Sequence, residues 1–212
     1  MVIPVLQGSI RSERMGDRAA KWVRARLASR GHEAVIVDAA ALELPLLDKM
    51  WKEIKQDPPP QYAELHRKLA PVAELYTRAD GYVVVSGEYN HSIPPALTNL
   101  IDHFLEEYAF RPAAIVCYSA GNFGGVRAAM QLRALLPEVG LSTIPSIQQF
   151  RKSQAPSTPT VSTRPEILIA SHTNSLMSSS GTCVPQRQNE KRACRTNLTY
   201  LRAAEKSSVV TS

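Results

Sequence analysis

Apolar residues follow two rhythms along the first 150 positions. Short, nearly continuous blocks of Val, Ile, Leu and Ala recur at residues 2–6, 34–38, 82–86, 113–118 and 141–147, and each reads as a buried strand. Between the blocks, apolar side chains return every three or four positions, the spacing of one helix face. In residues 17–30, Ala19, Val23 and Leu27 share a face while Asp17, Lys21 and Arg24 fall outside it. Gly31 follows, where the end of a helix favours glycine because φ > 0 costs it little. Residues 62–78 form the second helix, with Pro71 expected to interrupt or restart it. Leu97, Ile101, Phe104 and Tyr108 mark the third, opened by Pro94 and Pro95, which suit a first turn. Residues 125–136 make the fourth. A loop rich in Leu and Pro, carrying Trp51 and the proline run 58–60, separates the second strand from the second helix.

Buried strands separated by helices predict a parallel sheet covered on both faces. In such sheets a ligand sits beyond the carboxyl ends of the strands, where the strand order reverses. Three segments leave strand ends and enter helices: GSIRSERMG at residues 8–16, GEYNHS at 87–92, and SAGNFGG at 119–125. All three are expected on one edge of the sheet, facing a ligand.

Charge changes the picture after residue 150. Residues 1–150 hold 16 Lys/Arg and 16 Asp/Glu, while residues 151–212 hold 9 basic residues against 3 acidic ones. The net charge of +6 therefore belongs to the tail, and the body has no basic footprint for nucleic acid. The tail also carries 19 Ser/Thr against 11 in the whole body, with Tyr200 its only aromatic, which predicts disorder. The expected division is a folded domain over residues 1–149 and a Ser/Thr-rich basic tail, disordered or aberrant, over 150–212. No apolar stretch approaches the roughly 20 residues of a membrane span. Cys117, Cys183 and Cys194 form no CxxC pair, so neither a disulfide framework nor a zinc site is expected. With no secretory signal pattern at the N-terminus, the reading is a soluble cytoplasmic protein.

The first loop lacks both GxGxxG and the lysine of a P-loop. It offers Ser9, Arg11 and Arg14 ahead of a helix start, the hydroxyl, guanidinium and backbone donors that suit a terminal phosphate. A helix cap with surface arginines would look the same. The second loop offers Glu88, Tyr89 and Asn90 to the polar edge and face of a flat heterocycle; Asn90 or Ser92 could instead cap the helix. His91 reads as an exposed turn residue, and His103 as part of a solvated helix face. The third loop has Gly121, Gly124 and Gly125, which permit close backbone approach. Its stretch CYSAG, residues 117–121, is one residue short of the GxSxG nucleophile elbow, so a serine hydrolase is a rival. A second rival is a non-enzymatic binder that uses the basic tail on nucleic acid or an anionic surface.

Taken together, GSIRSERMGDRAAKWV, SGEYNHSIPPALTNLID and SAGNFGGVRAAMQLR, in this order, resemble the NADPH-dependent FMN reductase family, a flavodoxin-like group that includes quinone, azo-dye and chromate reductases. The resemblance covers about residues 2–147. It implies an α/β three-layer sandwich with five parallel strands in the order 2-1-3-4-5 and FMN at the switch point. It also implies that Ser9, Arg11 and the turn Arg14, Met15, Gly16 hold the FMN phosphate. Glu88, Tyr89 and Asn90 would line the isoalloxazine ring, and Ser119, Gly121, Asn122 and Gly124 would contact its far edge. NADPH or NADH would be the hydride donor, and a quinone, azo dye, metal oxyanion or free flavin the acceptor. A homodimer or homotetramer is implied, with Ala128, Ala129, Met130, Leu132, Leu135 and Leu136 offering apolar breadth to a partner. Neither nucleic acid, nor membrane, nor metal is expected.

Three departures stand out. Gly87 replaces the family's usual proline, which should loosen the second loop, and Thr98 stands where a lysine is frequent. After Ile147 the family's last covering helix is missing from the sequence, which leaves one sheet face short of cover.

Overall fold

The apolar blocks become strands and the periodic stretches become helices. A computed structural model describes residues 1–151; the expectations of a disordered tail and of a missing last helix fall outside the described residues. Strands β1 (Val2–Gln7), β2 (Glu33–Asp38), β3 (Tyr82–Gly87), β4 (Arg111–Tyr118) and β5 (Leu141–Phe150) form one sheet in the order β2-β1-β3-β4-β5. Every pairing is parallel. The order reverses at β1, which pairs with β2 on one side and with β3 on the other, Val5 opposite Val83. This is the flavodoxin-like topology that the family resemblance implies.

The helices are α1 (Gly16–Ala28), α2 (Ala39–Leu42), α3 (Trp51–Ile54), α4 (Ala63–Thr77), α5 (Pro95–Asp102) and α6 (Val126–Glu138). Side chains alternate across a strand, so each strand feeds both faces. Ile3, Val5, Val83, Val85, Ala114 and Val116 meet Ala19, Ala20, Val23 and Leu27 of α1. Leu6, Val84 and Ile115 point the other way, onto Leu69 and Tyr76 of α4, Leu97 of α5 and Leu132 of α6. Among the described residues α1 is the only helix on the first face. Burial on both sides explains why β3 is apolar nearly throughout, each buried valine contributing about 1.5–3 kcal/mol.

The structure corrects four expectations. Pro71 does not break its helix, because α4 runs unbroken from Ala63 to Thr77. Pro71 lies on the exposed face, where water can take the carbonyl that loses its partner, while Leu69, Val72, Ala73 and Tyr76 anchor the buried one. The third helix ends at Asp102, short of Tyr108. There the chain turns inward, so His103 is fully buried instead of solvated, its Nδ1 2.6 Å from the Asn99 carbonyl. Phe104 and Tyr108 pull it in: the Tyr76 ring lies 4.8 Å from Phe104 and 5.4 Å from Tyr108. Gly87 does not loosen its loop; it is the buried last residue of β3, paired with Tyr118. Finally, Ala128, Ala129, Leu132 and Leu136 are consumed by the chain's own core, which leaves Met130 as the exposed large hydrophobic residue of α6.

Candidate functional site

Because all five strands run the same way, the loops after β1, β3 and β4 emerge on one edge of the sheet. Two of them touch directly. Ser9, buried in the first loop, places its Oγ 2.7 Å from the Tyr89 hydroxyl in the second.

The first loop is braced from within. Arg14 donates from Nε to Asp17 at 2.7 Å, from Nη1 to Asp38 Oδ1 at 2.8 Å and to the Ser9 carbonyl, and from Nη2 to Asp38 Oδ2 at 2.5 Å. Four of its five N–H groups are therefore used inside the protein. Burial works against this cation, but the two carboxylates outweigh it and raise the pKa above the ordinary arginine value. Asp17 is held in turn by the Gln7 side-chain amide at 2.5 Å. Glu13 adopts φ 53°, a left-handed conformation that costs a non-glycine residue about 1 kcal/mol. Arg11 differs from Arg14: it is exposed and makes no bond among the described residues. Beside it begins α1, capped by the half-buried Met15 without any side-chain bond, so the N–H groups of its first turn remain free for an anion.

Gly16 is the first residue of α1, and a side chain there would collide with Tyr118. A Cβ would stand 2.6 Å from the Tyr118 hydroxyl. That hydroxyl is buried beside Ser9 yet meets no partner with hydrogen-bond geometry, and burial pushes its pKa up to about 12.

The second loop is locked onto α6. Glu88 keeps a side chain only 4% exposed; its carboxylate accepts from the Arg127 backbone N–H at 3.1 Å and from Arg127 Nε at 2.8 Å. Burial alone would raise its pKa, but the bonds from Arg127 prevail and lower it. Tyr89 and Ser92 exchange backbone bonds at 3.0 and 2.8 Å around Asn90 and His91, which have φ 49° and 66°. Two left-handed residues in succession define a type I′ turn and set Asn90 out in solvent. His91 is exposed, as expected, with Nε2 2.5 Å from Arg127 Nη1. Gln131 completes the lock, bonding the Ser92 hydroxyl at 2.7 Å and the His91 carbonyl at 3.0 Å. Neither Asn90 nor Ser92 caps α5, whose N-cap is Pro94.

The third loop is the most open. Gly121, Asn122 and Phe123 are exposed, and the Arg127 guanidinium lies 4.9 Å from the centre of the Phe123 ring. Ser119 Oγ donates to the Gly121 carbonyl at 3.3 Å, and among the described residues the hydrolase elbow meets no imidazole. Gly124 is buried, close to Gln149. Gly125, at φ 83°, lies so close to β4 that a Cβ would come within 2.8 Å of the Tyr118 carbonyl.

Sequence spacing missed Asp38, Arg127, Gln131 and Tyr118. Asp38 meets Arg14 across 24 residues, Arg127 meets Glu88 across 39, Gln131 meets the His91 carbonyl across 40, and Tyr118 faces Gly16 from farther still, too far for any local period to reveal. A separate cavity of about 290 Å³ abuts Ile10, between α2 and α5. Its Asn99 amide is already bonded to the Leu47 N–H and the Pro45 carbonyl. Among the described residues no helix is long and apolar enough to cross a membrane, and no group of three His, Cys, Asp or Glu is gathered for a metal ion.

The sheet order β2-β1-β3-β4-β5, with three loops gathered at its switch point, defines a flavodoxin-like fold. The chain matches the family described as NADPH-dependent FMN reductase over residues 1–155, and it belongs to that family. An NAD(P)H-dependent FMN reductase of Nectria sp. is 31% identical over 133 residues, 61% of this chain and 64% of the relative. A quinone reductase of Escherichia coli strain K12 is 39% identical over 69 residues, 31% of this chain and 37% of the relative. The chain thus spans less than two thirds of either relative's length. Among solved structures, a flavoenzyme NAD(P)H:(acceptor) oxidoreductase of Paracoccus denitrificans superimposes with a TM-score of 0.54 at 20% identity. That alignment covers 68% of this chain and 76% of the other, and it shows likeness of fold.

Proposed function

We propose that this chain is an FMN-dependent NAD(P)H oxidoreductase whose cofactor lies across the three loops at the β1/β3 switch point. The observation that carries the reading is the pairing of the unpartnered Arg11 with the free N–H groups at the start of α1. Together with Ser9 they form the donor set that a phosphate monoester requires. In this reading Arg11 and the turn through Met15 and Gly16 hold the phosphate, and Arg14 contributes its remaining N–H. Tyr89 and Asn90 border the ring with the backbone of Glu88, whose side chain is spent on α6. Ser119, Gly121, Asn122 and Gly124 border its far edge.

When bound, FMN supplies the hydride chemistry, accepting from NADPH or NADH and passing to a quinone, azo dye, metal oxyanion or free flavin. The protein binds and orients. The bonds from Arg127 hold Glu88 as a carboxylate and keep the second loop fixed against α6. The exposed third loop leaves room for donor and acceptor to enter in turn. The same reading assigns this work to residues 1–149 and places the protein in the cytoplasm, where the buried free thiol of Cys117 suits a reducing compartment. It also makes the protein a homodimer or homotetramer, for which Leu46, 85% exposed, with Phe123 and Met130, supplies uncovered apolar surface.

The test is to purify the chain with added FMN, remove free flavin and record visible absorption and subunit stoichiometry. One FMN per subunit is expected, with parallel initial-rate lines when NAD(P)H and a quinone are varied. A folded protein that retains no flavin overturns the proposal.

A further inference from the structure

Asp38 closes β2, and an acid at that place in a dinucleotide-binding sheet commonly meets a ribose hydroxyl. Here it is not free to do so. Both carboxylate oxygens face Arg14, Oδ1 at 2.8 Å and Oδ2 at 2.5 Å, and Oδ1 also accepts the Ala40 N–H at 3.0 Å. The Arg14 side chain is 13% exposed and Asp38 21%, so the pair is sheltered from solvent. From the same guanidinium a bond runs to the Ser9 carbonyl, and Nε meets Asp17 in the first turn of α1. One arginine thus joins the ends of β1 and β2 to the start of the next helix. The loop it braces includes Glu13 in a left-handed conformation, which persists only where the surroundings enforce it.

We propose that Asp38 is a positioning residue of the phosphate loop, holding Arg14 as a brace so that Ser9, Arg11 and the α1 N-terminus are set for a phosphate before it arrives. This rests on the FMN reading above. It also makes a prediction whose sign opposes simple electrostatics. Removing a carboxylate near a phosphate dianion should, by charge alone, strengthen binding. If Asp38 acts through geometry, its loss weakens binding instead, and only for ligands that carry the phosphate.

The experiment titrates FMN and riboflavin separately into the full chain and into Asp38→Asn, following flavin fluorescence. FMN affinity should fall roughly tenfold or more, the scale of one charge-assisted bond, while riboflavin affinity stays within about twofold. Arg14→Gln should cost less in the Asp38→Asn background than in the unmodified chain, because the two share one brace. Amide hydrogen exchange of residues 8–16 without ligand should quicken in Asp38→Asn. Tighter or unchanged FMN binding, equal weakening of both flavins, or unchanged exchange overturns the proposal. If Asp38→Asn does not fold, Asp38→Glu carries the test: it keeps the charge, displaces the brace, and should show a smaller loss confined to FMN. Equal losses for both flavins, or no loss, in that variant also overturn it. An unmodified chain that binds neither flavin refutes the cofactor reading instead.

Discussion

Gly16 and Tyr118 offer a direct measure of whether the start of α1 is shaped by packing or by its ligand. Replacing Gly16 with Ala puts a methyl group 2.6 Å from the Tyr118 hydroxyl oxygen and 3.4 Å from the ring carbon that bears it. The first distance is about 0.8 Å short of ordinary contact. The ring has little freedom to retreat, since Tyr118 is 6% exposed and its ring end also packs close against Gly87. Overpacking of this kind costs about 1–3 kcal/mol. Alanine's better helix propensity returns up to about 1 kcal/mol, less in a first turn, so a net loss of about 1–2 kcal/mol is expected. Tyr118→Phe alone removes a buried hydroxyl without a partner and should be neutral or stabilise by up to about 1 kcal/mol. In the double variant the clash is gone, so the coupling energy should be about 1–3 kcal/mol. Urea unfolding of the four proteins, with FMN titrations beside it, makes the measurement. Strictly additive stabilities would refute the packing argument. Stability recovered without recovered FMN affinity would assign Gly16 to the phosphate instead.

Two further outcomes follow from the loops. Arg11→Ala should weaken FMN by about 1.5–3 kcal/mol and leave riboflavin nearly untouched, as isothermal titration can show; equal losses would place Arg11 in the fold. For Glu88, the folded pKa lies below its ordinary 4.5, so its pairing with Arg127 contributes stability that is complete above about pH 4.5 and is lost as pH falls through the folded value. Glu88→Gln should lower Tm at neutral pH through a stability loss of about 1–2 kcal/mol, after allowing for the partial exposure of Arg127, and flatten the acid limb of the Tm–pH curve. An acid limb as steep as in the parent would show that other groups carry it.

Strands and loop placement were legible in the sequence because they follow from short-range signals, whereas the sheet order came only with the family resemblance. Runs such as Tyr82 to Val85 mark buried strands, and glycine and proline mark their ends. What stayed hidden depends on where elements meet. Gly16 looked like part of a phosphate turn, and its contact with Tyr118 arises only when α1 lies over β4. Arg14 and Arg11 are equivalent as letters, yet Asp38 engages one and leaves the other free. His103 was misplaced because helical spacing was carried past Asp102, where the buried aromatic cluster overrides the period. Pro71 was misjudged for the opposite reason: tertiary packing of one face holds a helix that local propensity would break.

The central position of β1 has a consequence for synthesis. This strand leaves the ribosome before the rest of the sheet, yet one of its neighbours is β3, with Val83 opposite Val5. At about 5–20 residues per second, some 80 residues take roughly 4 to 16 s to follow. Throughout that interval Ile3, Val5 and Leu6, all fully buried at the end, have no complete sheet to join. The β1–α1–β2 unit can form early and cover one flank, but the β3 edge stays open and apolar. A nascent chain stalled before β3 has emerged should therefore be held by chaperones, and one stalled after β3 has emerged should begin to resist protease. The topology that gathers the three loops at the switch point also sets the length of that vulnerable period.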